Sequence, residues 1–118
     1  MTPITCFVFV SSVFAQMPKQ RECAAVVKGN IEKTRTSSPA VYATIKSYTF
    51  EYSKSHDSCV IIMQYRVQDK DEPKVQVLAI NAVTMESMER HKDVFLIPAK
   101  DSKQIDDAAD FLFEKYSH

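Results

Sequence analysis

The residues between 46 and 53, KSYTFEYS, alternate Tyr48, Phe50 and Tyr52 with Thr49, Glu51 and Ser53. A period of two is that of a half-buried β-strand. KSHDS (54–58) then has the composition of a hairpin loop. A second strand spans Cys59 to Val67, with Cys59, Ile61, Met63, Tyr65 and Val67 on one face. The charged turn DKDEP (69–73) leads into a third strand, KVQVLAINAV (74–83). Strands joined by such short connections pair as an antiparallel meander. Residues 84–92 read as a helical turn or a wide connection, and DVFLIP (93–98) as a fourth strand closed by Pro98.

The sheet is flanked by two stretches of helical period. In residues 18–35, Cys23, Val26, Val27 and Ile31 share a face, Pro18 suits a first helical position, and the chain's single glycine, Gly29, weakens the helix slightly. The polar run Thr34 to Pro39 is expected to end it. In residues 102–117 the apolar face is Ile105, Ala108, Ala109, Leu112 and Tyr116, and Asp101 with Gln104 resembles a capping box. The expected fold is α+β: an N-terminal helix, an antiparallel meander of three or four strands and a C-terminal helix, with both helices packed on one sheet face.

Residues 4–15, ITCFVFVSSVFA, carry no charge and end in small residues before the chain turns polar at Gln16. That is the shape of a secretory signal peptide, and it is too short to span a bilayer. The expected organisation is therefore a leader over 1–15 and one domain over 16–118, secreted or periplasmic. The competing reading makes residues 4–14 a buried strand of an intracellular structural subunit. Removing the leader takes away Cys6 and leaves Cys23 and Cys59, an even pair expected to form a disulfide in an oxidising compartment.

With 118 residues, 45% hydrophobic and 25% charged, the chain suits one modest core. Fifteen basic residues balance fifteen acidic ones, which argues against nucleic acid as a partner. The balance is uneven along the chain. Residues 16–35 hold five cations against two anions, a net +3, and residues 101–118 five anions against two cations, a net −3. Helices of opposite sign can attract one another or polarise the surface, while the ordinary reading of a charge run on a helix is its solvated face.

One glycine excludes phosphate-cradling loops, which need several residues free to take positive φ. His56 and Asp57 with Ser55 or Ser58 have the residue types of a hydrolytic relay, but adjacent residues seldom face each other. Glu89, His91 and Asp93 have unspecific metal-ligand spacing. The expectation is no catalytic residue, metal or cofactor; the alternative is a small hydrolase or metal-dependent enzyme using His56, Asp57 or His91. Tyr48, Phe50 and Tyr52 form a candidate binding face for a protein, an envelope component or a small apolar ligand. A cystatin-type inhibitor is disfavoured. The nearest match to its Gln-x-Val-x-Gly hairpin, Ala25 to Gly29, lacks the Gln and falls in a helix, and the chain has no Trp.

The run Tyr48-x-x-x-Tyr52-Ser53-x-x-x-x-x-Cys59-Val60-Ile61-Ile62, with Cys23 upstream on a helix, resembles small exported bacterial proteins of unknown function across residues 20–82. The resemblance implies export and the fold, and brings no activity and no catalytic residues with it.

Overall fold

The computed structural model describes residues 16–88 and 94–118. The expected leader, Cys6 and the Glu89–His91–Asp93 triplet lie outside the described residues. Four strands form one sheet in the order β1 (Ile45–Ser53), β2 (Ser58–Asp69), β3 (Glu72–Asn81) and β4 (Phe95–Pro98). All neighbours are antiparallel. The register sets Phe50 opposite Ile61 and Ile61 opposite Ile80, while Thr49 faces Ile62 and Ile62 faces Ala79. Both hairpins turn on residues that accept a left-handed backbone, Asp57 at φ 44° and Lys70 at φ 54°.

The third strand stops at Asn81 rather than at residue 83. Asn81 Oδ1 accepts the amides of Val83 (2.9 Å) and Thr84 (3.2 Å), which turns the chain out of the sheet. The first helix, α1 (Gln16–Ser37), runs through the polar stretch expected to end it. Its hydroxyls stay in the helix by bonding back one turn: Thr34 Oγ1 donates to the Asn30 carbonyl at 2.9 Å and Ser37 Oγ to that of Lys33 at 2.6 Å. Pro39 has no N–H to continue that ladder, so the chain restarts there as a short helix, α2 (Pro39–Thr44). The last helix, α3 (Ser102–Tyr116), is capped by Asp101, whose carboxylate accepts the Gln104 amide at 3.2 Å.

The α+β class and the antiparallel meander are as expected; the placement of the two helices on one sheet face is not. Ile105, Ala108, Leu112 and Tyr116 of α3 pack on Val60, Ile62, Val75, Val77 and Ala79. Cys23, Val27 and Ile31 of α1 pack on Cys59, Ile61, Met63 and Ile80. Consecutive residues of β2 point to opposite faces. The helices therefore sandwich the sheet. The reason is the unbroken apolar run Cys59 to Met63, every residue of which is buried. Covering one face alone would leave Val60 and Ile62, or Ile61 and Met63, in water. The positive stretch of α1 and the negative stretch of α3 consequently sit on opposite sides, and the charge difference polarises the molecule.

A Cys23–Cys59 disulfide joins α1 to the start of β2, with the Cα atoms 5.4 Å apart. That separation is ordinary for the bond.

Candidate functional site

The β1–β2 turn gathers most of the candidate polar residues and then divides them. His56 Nδ1 lies 3.0 Å from Ser53 Oγ and 3.1 Å from Ser55 Oγ, and its ring leans on Tyr116 with centroids 5.1 Å apart. Asp57 points elsewhere. Its carboxylate accepts the Tyr52 hydroxyl and the Lys19 ammonium, the latter at 3.4 Å. The Ser58 hydroxyl donates to the His56 carbonyl at 2.9 Å. Among the described residues no carboxylate thus orients the imidazole, and His56, Asp57 and the neighbouring serines do not assemble a Ser–His–Asp relay. What the turn does hold is the end of the chain: the His118 carbonyl accepts the Ser55 amide (3.0 Å) and the buried Ser53 hydroxyl (3.3 Å).

Tyr52, Asp57 and Lys19 form one exposed polar knot beside the disulfide. The Tyr52 hydroxyl, and after it the Lys19 ammonium, holds the Asp57 carboxyl below the usual carboxylate range. Lys19 in turn is raised, by the Tyr52 hydroxyl first and the Asp57 carboxylate second. Lys19 Nζ also sits 5.1 Å from the centre of the Tyr52 ring.

The aromatic stripe of β1 is therefore not one surface. Tyr52 is committed to this knot, Phe50 is half-buried against the α1-side core, and Tyr48 is 38% exposed. Tyr48 and Phe50 line a groove of about 460 Å³ with Tyr42 of α2 and Lys28 and Glu32 of α1. On the opposite face, Ser47 and Thr49 line a second groove of about 490 Å³ with Asp106, Asp110 and Phe113 of α3. Between the grooves runs the outer edge of β1, which among the described residues closes one side of the sheet and is exposed from Lys46 to Thr49.

The polarity of that edge follows from the register. The Tyr52 amide points away from β2 and donates to Gln20 Oε1 at 3.2 Å. In an antiparallel pair, inward and outward amides alternate, so Tyr48 and Phe50 also turn their N–H and C=O groups outward. A strand edge with these groups open is a template for another strand.

Sequence reasoning reached Tyr48 and Phe50 but not Tyr42, Asp106, Asp110 or Phe113. One signal was available for the last: Phe113 falls off the apolar stripe of α3 and, like Phe111, remains substantially exposed. Among the described residues no group of three His, Cys, Asp or Glu could hold a metal ion. Among them, too, no helix is long and apolar enough to cross a membrane. No family model, curated protein or solved structure matches this chain.

Proposed function

We propose that this chain is a non-enzymatic, exported interaction module that takes an extended polypeptide segment along the outer edge of β1. One observation carries the reading: backbone groups at Tyr48 and Phe50 point outward between two grooves, one on each face of the sheet. Strand addition uses this arrangement, with main-chain hydrogen bonds supplying affinity and alternate side chains entering opposite pockets. Separation of Asp57 from His56 weighs against the hydrolytic alternative. Export is supported by the Cys23–Cys59 disulfide, since such bonds persist in oxidising compartments.

The two grooves differ in character. Asp106 and Asp110 flank the one on the α3 side, whereas Tyr42, Tyr48 and Phe50 flank the other. A peptide of alternating Lys and Val, end-capped, presents cations to the first and apolar side chains to the second. Titrated into isotope-labelled protein, it should shift and protect the amides of Tyr48 and Phe50 before any others. Absence of that response, or one scattered over the surface, would refute strand addition.

A further inference from the structure

We infer that the segment β1 takes is β1 of a second copy of this chain, paired antiparallel about Thr49 to give a continuous eight-stranded sheet. The inference rests on the strand-addition reading and narrows it to one partner.

Symmetry and hydrogen bonding select the register. A two-fold axis normal to the sheet keeps each face continuous, so paired residues must lie on the same face and the axis must pass through a residue pair of equal number. Centring on Phe50 would require the outward amide of Tyr52, which Gln20 already occupies. Centring on Tyr48 would set Phe50 against the irregularity between Ile45 and Ser47. Centring on Thr49 needs the outward groups of Tyr48 and Phe50 alone, and each would exchange both hydrogen bonds with the other's copy.

The side chains suit that register. On the α1 side Tyr48 meets the copy's Phe50, twice by symmetry, an aromatic cross-strand pair. On the α3 side the copy's Ser47 falls opposite Glu51. Lys46 lies next to Ser47 on this same side, its Nζ 3.3 Å from Gln64 Oε1. Lys46 of each copy therefore lies beside Glu51 of the other, giving two opposite-charge contacts. Among the described residues no ion pair engages Lys46 or Glu51. Asp106 and Asp110 border the same face and favour a foreign basic strand instead, which makes that strand the competing occupant.

Disulfide trapping tests the register directly. Thr49 turns its own N–H and C=O toward β2, so Thr49 and its copy form a non-hydrogen-bonded pair with Cα atoms about 4.5 Å apart, within disulfide reach. In a glutathione redox buffer the full chain carrying Thr49→Cys should become a covalent dimer, and Tyr48→Cys should not. Sedimentation of the unmodified chain should show a concentration-dependent dimer. Lys46→Glu should weaken it about tenfold and the exchange Lys46→Glu with Glu51→Lys should restore it. A chain monomeric at every concentration, a dimer that Thr49→Cys fails to trap, or equal trapping by Tyr48→Cys each overturns the inference. If the monomer still takes up the Lys–Val peptide, self-pairing alone has failed; if it takes up neither, the strand-addition reading fails with it.

Discussion

Cys59 and Val60 are neighbours in β2, yet their side chains enter different cores: Cys59 faces α1 and Val60 faces α3. The same division continues along the strand, with Ile61 on the first side and Ile62 on the second.

Two independent cores give a simple additivity test. Ile61→Val and Ile62→Val should each cost about 1 kcal/mol, because each side chain is almost wholly buried. Sharing no core partners, the two effects should add to within about 0.5 kcal/mol in the double variant. Urea unfolding of the four proteins measures this. An Ile62→Val change without cost would mean that the α3 side of β2 is not a packed core.

The Cys23–Cys59 bond closes a loop spanning 36 positions. The chain-entropy argument puts its contribution at roughly 3–4 kcal/mol, a large share of a small domain's stability. Replacing both cysteines with Ser should lower the urea midpoint accordingly, and reduction of the parent protein should match the double variant. Equal midpoints for oxidised and reduced protein would remove the bond from any stabilising role.

Asp57 sets an acid limb in the stability curve. Its carboxyl is depressed in the fold, by the Tyr52 hydroxyl first and the Lys19 ammonium second. A depressed value stabilises the folded state above the ordinary carboxylate range, about 3.9, and that contribution is lost as pH falls through the folded value. Lys19 is raised, so its contribution is present below the ordinary lysine range and lost as pH climbs through the folded value. Asp57→Asn should therefore flatten the fall of Tm below about pH 4, with a small effect near neutrality because the pair is exposed. Superimposable acid limbs for the two proteins would contradict the assignment.

Much of this fold is legible in local pattern, because local pattern is what local physics obeys. The alternation Tyr48–Phe50–Tyr52 reports a pleat, and Ile105, Ala108, Leu112 and Tyr116 report a helical stripe. Asp101 reports a helix start, and the even pair Cys23 and Cys59 reports a bridge. Each depends on spacing along the chain, and each is realised. The stretch 34–39 was harder to read: hydroxyl residues usually leave helices, and whether they bond back to the turn before is decided by the backbone they sit in.

What only the tertiary structure decided is which element covers which surface. Alternation states that a strand has two sides without saying what lies on either. The unbroken run Cys59 to Met63 carried a hint of cover on both sides, but such a run also fits other buried settings. Likewise, sequence adjacency brought His56 and Asp57 into one turn, and the left-handed backbone at Asp57 went with side chains directed to different partners. That β1 is an edge is a fact about strand order, which emerges only when the strands have paired and, among the described residues, no further strand lies against its outer backbone groups.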